Sequence, residues 1–407
     1  PMDAPLPDQP ATSFRKGFGL KSDVPAKLSA DYSGRIVDLL REHDNTLAAG
    51  DVTIRLAGEF GFCYGVERAV EYAYQTRTKF PDRRILLVGE IIHNPHVNDR
   101  LREMGIEILI PTASGFDYGA ITPQDVVILP AFGVPMKDFQ TLRESGCVMV
   151  DTTCGSVLNV WKRVEAYARD GLTSLIHGKH YHEETRATAS QAEKHIGAHW
   201  IVVRDMAEAK MVCEYIEGRG DRNAFLAKFA PAVSAGFDPD FDLRRIGVAN
   251  QTTMLARESL AIGEEVGAAI ERARGAEARA SDFRSFDTIC SATQDRQDAV
   301  KELLAEPLDV MVVVGGYNSS NTISLAAICA ERVMTYHIED AEAIDPEHGT
   351  IRHKPIGREE ETRSDWLPAH GAVRVGLTAG ASTPNNKIGD TVARVFATRG
   401  IDPATIE

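Results

Sequence analysis

The chain has 407 residues, of which 43% are hydrophobic and 26% charged, a composition typical of a globular protein with two or three domains. Its 59 acidic and 45 basic residues give a net charge of −14, which argues against broad binding to nucleic acid or to an anionic membrane. No apolar run reaches the roughly 18 residues of a membrane helix, and the first residues lack the apolar core of a secretory signal. A cytoplasmic location is therefore expected.

Residues 1–50 are predicted to form an N-terminal arm, and its first thirty residues, which are rich in proline, are expected to be loose. After this arm, short β-rich runs alternate with amphipathic helical stretches, a pattern typical of α/β architecture with parallel sheets. The first repeat is VTIRLAGEFGFCYGVERAV, in which Val52–Ala57 is predicted to be a strand. Cys63 lies in the turn, and apolar residues from Val66 to Ala73 share one face of the helix that follows.

Two later strand–turn–helix repeats also contain a cysteine. In CVMVDTTCGSVLNVWKRVEAYA a strand ends near Asp151, Cys154 follows, and Val157 begins the apolar face of a helix. In SFDTICSATQDRQDAVKELL a short strand precedes Cys290. Since strand–turn–helix repeats with polar turns follow each of the three, the sequence predicts three related α/β domains. Each would be a small parallel sheet with helices on both faces, in a pseudo-threefold arrangement around one central site.

The predicted boundaries follow from this repetition and from two charged stretches that interrupt it, which are interpreted as surface insertions. The predicted parts are an arm at 1–50, domain 1 at 51–153 with segment 386–407 packing back on it, domain 2 at 154–289 with an insertion near 217–244, and domain 3 at 290–385 with an insertion near 343–368.

The three cysteines share a position at the carboxyl ends of predicted strands, which is where open parallel sheets bind ligands. Helix N-termini favour thiolates through the helix dipole and free N–H groups. Three thiolates can hold a cubane iron–sulfur cluster and leave one iron open, so that the cluster can act as a Lewis acid and as an electron relay. Cys63, Cys154 and Cys290 are therefore candidate ligands of such a cluster.

Cysteines can also be buried structural residues or zinc ligands. A single cysteine is more often a buried structural residue, and Cys147, Cys213 and Cys329, in a predicted strand and predicted helices, are interpreted in that way. Structural zinc sites usually contain cysteine pairs two to four residues apart, whereas the gaps here are 91 and 136 residues. The spacing therefore favours a cluster over zinc.

Polar turns elsewhere in the sequence are candidate sites for binding an anion and for transferring a proton. The segment from Asn318 to Asn321 follows a strand and two glycines, so it can present N–H groups and hydroxyls to an anion, as can the turn that contains Ser382. Neither turn matches a nucleotide-binding fingerprint. The histidines His93 and His182 suit phosphate binding or proton relay. The best candidate proton donor is Glu184, with Thr252 able to pass a proton or orient a hydroxyl.

These motifs resemble the 4-hydroxy-3-methylbut-2-enyl diphosphate reductase family, the last enzymes of the methylerythritol phosphate route to isoprenoids. The matching pieces are GFCYGVERAV, EIIHNPHV, VDTTCGSV, HEETRATAS, NQTTM, DTICSATQDRQ, GGYNSSNT and TAGAST. They occur in the family's order over about residues 52–395, and the chain's length is similar to that of the plant and cyanobacterial branch.

The resemblance implies a [4Fe–4S] cluster on Cys63, Cys154 and Cys290, which an isolated chain could hold as [3Fe–4S]. It implies a two-electron reductive dehydroxylation to isopentenyl and dimethylallyl diphosphate, with ferredoxin or flavodoxin as the electron donor. The catalytic residues it implies are Glu184, Thr252 and His182. The substrate-binding residues it implies are His93, His182, Gln251, Thr252, Ser319, Ser320, Asn321 and Ser382.

One position departs from the family pattern. Many bacterial members have a phosphate-binding histidine where this chain has Phe132, so one phosphate contact is missing or is supplied by another residue, such as His96 or His180. Two alternative functions stay open: a cluster-dependent hydratase that needs no external reductant, and a non-catalytic cluster sensor that leaves His182 and Glu184 unexplained.

Overall fold

The computed structural model describes residues 13–20, 24–112, 115–368 and 370–405. They fall into two compact units. The first unit contains the described residues up to Phe18 together with Thr76–Ile91 and Arg102–Cys290. The second contains the described residues of Gly19–Gln75, Ile92–Leu101 and Ser291–Glu407. Within the described ranges, every helix is too short or too polar to span a bilayer.

The first unit contains two parallel sheets. The strands of one sheet are, in spatial order, Ser13–Phe14, Val148–Asp151, Val126–Leu129, Ile85–Val88 and Ile106–Leu109. Its two central strands, Ile85–Val88 and Val126–Leu129, are buried at every position, as expected for a parallel strand covered on both faces. Apolar side chains from Leu86 to Met149 form the core beside them, together with the helix Met136–Glu144.

The second sheet of this unit positions most of the candidate residues that the unit contains, namely His182, Glu184, Gln251, Thr252 and Cys290. Its strands are, in spatial order, Phe283–Ser285, Ile246–Asn250, Thr173–His177 and Trp200–Val203. Its helices are Gly155–Arg169, Glu183–Ala189, Met206–Ile216, Arg222–Phe229, Pro239–Asp242, Ala256–Arg274 and Ala276–Asp282. The stretch near 217–244 is more than a surface insertion, because Phe225 and Phe229 are buried in the core of this sheet.

The second unit is built on one five-stranded sheet. In spatial order its strands are Thr335–Ile338, Val310–Val314, Val373–Ala379, Val52–Leu56 and Thr46–Ala49. The first four strands are parallel and the last is antiparallel. The strand Val52–Leu56, which precedes Cys63, therefore pairs with Val373–Ala379. The predicted boundaries instead place these two strands in different domains, 51–153 and 290–385. Those boundaries stay a prediction.

Helices and a small sheet complete the second unit. The helix Arg35–Glu42 of the predicted arm joins the core of this unit through Val37 and Leu40. Among the first thirty residues, Val24 is buried just before the helix Pro25–Tyr32, so the loose structure expected there is wrong at this position. The stretch near 343–368 forms an antiparallel sheet of Ile344–Asp345, Thr350–His353 and Glu361–Arg363, and it buries Trp366. The other helices assigned here are Pro25–Tyr32, Tyr64–Lys79, Pro95–Glu103, Ser291–Leu303, Ser320–Ala330 and Asn385–Thr398.

The α/β class predicted from the sequence is confirmed, since the described residues contain three sheets of mostly parallel strands with flanking helices, beside one small antiparallel sheet. The arrangement around a central cluster stays a prediction. The predicted helix after Cys154 has the expected buried face, with Val157, Val160 and Val164 inside. The helix after Cys63 likewise buries Val66 and Ala69.

Candidate active site

Each candidate cysteine lies immediately before a helix. Cys63 precedes Tyr64–Lys79, Cys154 is the N-cap of Gly155–Arg169, and Cys290 precedes Ser291–Leu303. All three are partly exposed and lie outside any disulfide of the described residues. Such positions stabilise thiolates, because helix N-termini carry partial positive charge and free N–H groups.

The other three cysteines lie in a different environment. Cys147, Cys213 and Cys329 are free but buried. Burial raises the pKa of the Cys213 and Cys329 thiols to about 12, and it also raises the pKa of Cys147. These thiols therefore stay protonated, which suits the structural role predicted for them.

The turn of Cys154 is held by backbone and side-chain hydrogen bonds in the first unit. The Cys154 N–H donates to the Ala131 carbonyl at 2.9 Å. The hydroxyl of Thr152 donates to the Leu129 carbonyl at 2.6 Å, and the Thr153 N–H donates to Asp151 Oδ1 at 3.0 Å. The turn thus has a fixed backbone path before the helix begins.

The candidate proton donor Glu184 is 1% exposed and is joined to Thr252. The Thr252 N–H donates to Glu184 Oε1 at 2.6 Å, and the Thr252 hydroxyl lies 3.0 Å from Oε2. The Thr252 carbonyl accepts a hydrogen bond from the Cys290 N–H at 3.2 Å. The first unit therefore brings the candidate acid, the candidate hydroxyl and one candidate cluster ligand into one hydrogen-bonded chain.

His182 and Gln251 border the same acid. His182 Nδ1 accepts a hydrogen bond from the Glu184 N–H at 3.1 Å, which makes His182 the N-cap of Glu183–Ala189. Gln251 Oε1 accepts from the Thr185 hydroxyl at 3.0 Å and from the Lys179 N–H at 3.1 Å. The Gln251 carboxamide is thereby fixed beside the helix that carries Glu184.

Phe132 packs against His182. Their ring centroids are 5.6 Å apart, and the rings are nearly perpendicular at 84°. The residue that departs from the family pattern therefore supports an imidazole by an edge contact. The two histidines suggested to replace the missing phosphate contact pack against other rings. The ring centroids of His96 and Tyr32 are 6.2 Å apart, and those of His180 and Tyr181 are 5.3 Å apart.

In the second unit the turn of Cys63 is held from two sides. The Cys63 N–H donates to the Ala381 carbonyl at 3.2 Å. The Arg296 guanidinium, which is 3% exposed, donates to the Gly61 carbonyl at 2.7 Å. Arg296 also donates to the Ala292 carbonyl at 2.9 Å, so it ties the Cys63 turn to the helix Ser291–Leu303.

The polar turns of the second unit meet around His93. Asn318 Nδ2 lies 3.2 Å from His93 Nδ1, and the Ser382 hydroxyl donates to the His93 carbonyl at 3.0 Å. Asn321 Oδ1 accepts a hydrogen bond from the Ala381 N–H at 2.9 Å. The second unit therefore brings together His93, Asn321 and Ser382, three residues of the predicted anion site, whose role stays a prediction.

Asn321 also offers a donor for a ligand. Its carboxamide is 2% exposed, and among the described residues its Nδ2 has no hydrogen-bond partner. Such a buried, unpaired donor is costly unless a ligand or water satisfies it. Ser319 and Ser320 lie in the same turn, where Ser319 Oγ caps the helix Ser320–Ala330 by accepting from the Thr322 N–H at 3.3 Å.

Gly380 lies where the TAGAST segment comes very close to Thr322. A Cβ on Gly380 would lie 2.0 Å from Thr322 Oγ1. The TAGAST segment can therefore pass the helix N-terminus only because residue 380 has no side chain.

Sequence reasoning missed two buried charged contacts. One is Arg296 beneath the Cys63 turn, and the other is Asp151, which is 2% exposed and forms an ion pair with Arg15 at 2.7 Å. Arg296 falls on the buried face of its helix, next to Ala299 and Val300 in the helical period, which was an available signal.

Comparisons with known proteins agree with one another. Residues 54–396 match the family model described as LytB protein. A Synechococcus protein named 4-hydroxy-3-methylbut-2-enyl diphosphate reductase is 48% identical over 383 residues, 94% of this chain and 94% of that protein. Proteins with the same name from Thermosynechococcus vestitus and Gloeobacter violaceus are each 48% identical over 95% of this chain, and over 95% and 93% of their own lengths.

Two solved structures are also similar. One is described as (E)-4-hydroxy-3-methyl-but-2-enyl diphosphate reductase, the terminal enzyme of the non-mevalonate pathway. It has 28% identity and a TM-score of 0.51, and the match covers 84% of this chain and 98% of that one. The Plasmodium falciparum reductase structure has a TM-score of 0.61 at 19% identity, with coverages of 84% and 87%, and supports the fold alone.

Proposed function

The chain belongs to the LytB family, and on that premise we propose that it reduces 4-hydroxy-3-methylbut-2-enyl diphosphate. The products are isopentenyl and dimethylallyl diphosphate, the last step of the methylerythritol phosphate pathway. The observation that carries this proposal is 48% identity to a protein named for this activity over 94% of the chain. Two electrons and two protons enter for each hydroxyl that leaves as water.

Cys63, Cys154 and Cys290 would hold the iron–sulfur cluster. The support is their donor chemistry: three partly exposed thiols outside any disulfide of the described residues, each just before a helix. A [4Fe–4S] cluster bound by three cysteines supplies electrons and a Lewis-acidic iron when it is present. The chain's own part is to fix the three thiol positions, which the hydrogen bonds from the Cys63, Cys154 and Cys290 N–H groups support.

Glu184 would deliver the proton to the substrate. Its carboxylate is buried and is held by the Thr252 N–H and hydroxyl, so it keeps one orientation. A buried carboxylic acid in a fixed position is suited to general acid catalysis. Thr252 would orient this acid, and His182 would cap the helix that carries it.

The diphosphate would be bound by His93, His182, Ser319, Ser320, Asn321 and Ser382, with Gln251 beside the hydroxyl end. The unpaired Nδ2 of Asn321 supports this assignment, because it is a donor without an acceptor in the described part of the chain. Phe132 offers no hydrogen bond, so in this chain the phosphate contacts rest on the remaining donors.

The electron donor, ferredoxin or flavodoxin, and the cytoplasmic location also remain proposals. The reductase and the hydratase alternatives differ in their need for a reductant. Chain purified without oxygen should be brown, contain iron and sulfide, and convert the diphosphate only when dithionite with a viologen dye, or reduced ferredoxin, is supplied. Turnover without reductant would favour the hydratase, and a cluster without turnover would favour the sensor.

A further inference from the structure

The N-terminal segment around Arg15 adds a strand to the first sheet of the first unit. Ser13 and Phe14 pair in parallel with Met149 and Val150. Phe14 packs on Phe18 with ring centroids 4.9 Å apart. The segment is thus anchored along the strand that leads to Cys154, and it ends with Arg15 beside Asp151.

Arg15 and Asp151 form an asymmetric ion pair. Arg15 Nε lies 2.7 Å from Asp151 Oδ2, with the arginine side chain 47% exposed and the aspartate side chain 2% exposed. The other carboxylate oxygen, Oδ1, accepts from the N–H of Thr153 at 3.0 Å and from its hydroxyl at 2.5 Å. One oxygen therefore binds the N-terminal segment, and the other binds the residue before Cys154.

A buried carboxylate is costly without a positive partner. Among the described residues, Arg15 is the cation that forms an ion pair with Asp151. If Arg15 were absent, Asp151 would be driven toward solvent, and its hydrogen bonds to Thr153 would be strained or lost. The turn that presents Cys154 would then lose one of its fixed points.

The space around the pair makes such a movement feasible. A cavity of about 240 Å³ lies here, and its walls include Arg15, Asp151, Thr153, Trp161 and Gln191. Its volume gives the Asp151 side chain room to swing, and water could follow. The cavity reaches Thr153, one residue before Cys154.

We propose that Arg15 is a positioning residue for Cys154, acting through Asp151 and Thr153. The strand Ser13–Phe14 thus helps to hold the turn of Cys154, although it lies far from that turn in the sequence. The role of Cys154 as a cluster ligand rests on the proposed function, whereas the mechanical coupling of Arg15 to the Cys154 turn does not.

The test measures how fast an alkylating reagent labels each cysteine in the full chain purified without oxygen, with mass spectrometry to identify the sites. For Arg15→Met we expect Cys154 to be labelled about tenfold faster, because local opening exposes it, with Cys63 and Cys290 changed by less than about twofold. Arg15→Lys keeps the charge and should lie between the two. The control Arg169→Met removes an exposed pair with Asp170 and should change nothing.

A double variant distinguishes positioning from general loosening. Asp151→Asn keeps an acceptor for Thr153 but removes the buried charge, so Arg15→Met combined with Asp151→Asn should return the Cys154 rate toward that of the parent chain. The reduced-cluster EPR spectrum should change in Arg15→Met and recover in the double variant. An unchanged Cys154 rate, or equal acceleration at all three cysteines, would overturn the proposal. A colourless parent chain would instead refute the cluster, and the labelling rates would still decide the coupling.

Discussion

Thr252 holds Glu184 by two hydrogen bonds, one from its backbone N–H to Oε1 and one between its hydroxyl and Oε2. The same residue accepts a hydrogen bond from the Cys290 N–H through its carbonyl. A single residue therefore sets both the direction of the candidate acid and the backbone position of a candidate cluster ligand. Substitutions of Glu184 and Thr252 can therefore test proton delivery and cluster binding separately.

Glu184→Gln should keep the cluster and lose turnover. A glutamine can accept from the Thr252 N–H with its oxygen and donate to the Thr252 hydroxyl, so the geometry is preserved while the acidic proton is lost. We expect kcat to fall by about 10²-fold or more, with unchanged iron content. The neighbouring Glu183→Gln, at an exposed carboxylate, is the control. A near-normal kcat in Glu184→Gln would remove Glu184 from the mechanism.

Thr252→Val should have a smaller effect than the loss of the acid. The backbone N–H still reaches Glu184 Oε1, but Oε2 loses a hydroxyl partner, which costs about 1–3 kcal/mol for a buried group. We expect kcat to fall about tenfold. Thr252→Ser keeps the hydroxyl and should stay within about threefold of the parent chain. A loss of kcat in Thr252→Ser with none in Thr252→Val would show that the methyl group, and not the hydroxyl, matters.

Asn321→Asp should weaken substrate binding. The aspartate can still accept from the Ala381 N–H, but it replaces the unpaired Nδ2 donor with a negative oxygen that repels a diphosphate. We expect KM to rise by about 10²-fold with a smaller change in kcat. Asn223→Asp, on the exposed side of another helix, adds the same charge elsewhere. A normal KM would place the diphosphate away from Asn321.

Gly380→Ala should destabilise the second unit. The new Cβ would lie 2.0 Å from Thr322 Oγ1, so the TAGAST turn or the start of the helix must move. We expect the free energy of unfolding to fall by about 1–3 kcal/mol. Gly58→Ala is the matched control, because a Cβ there meets nothing within 4 Å. Urea denaturation compares the two, and similar losses would contradict the steric argument.

Stability should fall as the pH drops below the ordinary range of histidine. Burial lowers the pKa of His337 to about 4, from an ordinary value of 6.5. Below pH 6.5 the unfolded chain takes up a proton that the folded chain does not, so the contribution of His337 is full above pH 6.5 and is lost toward pH 4. Between pH 7 and pH 5 the chain should lose about 2 kcal/mol more than His337→Gln does. His348→Gln should not reduce this loss, because the hydrogen bond to Asp345 raises the pKa of His348 and so stabilises the folded chain as the pH falls.

Local pattern was enough to predict the elements beside each cysteine. The helix after Cys154 buries Val157, Val160 and Val164 at the spacing that the sequence shows, because one helical face must meet a sheet. The fully apolar strand Val310–Val314 was predictable for the same reason. Pattern also predicted that His93 and Ser382 each follow a strand, but not that the Ser382 hydroxyl donates to the His93 carbonyl.

The pairing of distant strands and the burial of charged side chains could not be predicted from local sequence pattern. The partner of Val52–Leu56 lies more than 300 residues away, at Val373–Ala379, and nothing in either run specifies the other. Arg15 and Asp151 look like ordinary surface charges in the sequence, because a salt bridge across 136 positions leaves no local period. The insertion near 217–244 looked polar because its three buried phenylalanines, Phe225, Phe229 and Phe237, are outnumbered by charged neighbours.

The pairing of Val52–Leu56 with Val373–Ala379 has a consequence for biosynthesis. The Cys63 turn is closed by the Ala381 carbonyl, so on a growing chain it stays open until that residue has left the ribosome. Cys154 and Cys290, by contrast, bond to neighbours already translated, at Ala131 and Thr252. Contacts of such long range also form slowly. We therefore expect Cys63, which is translated first of the three cysteines, to be the last to reach its folded position.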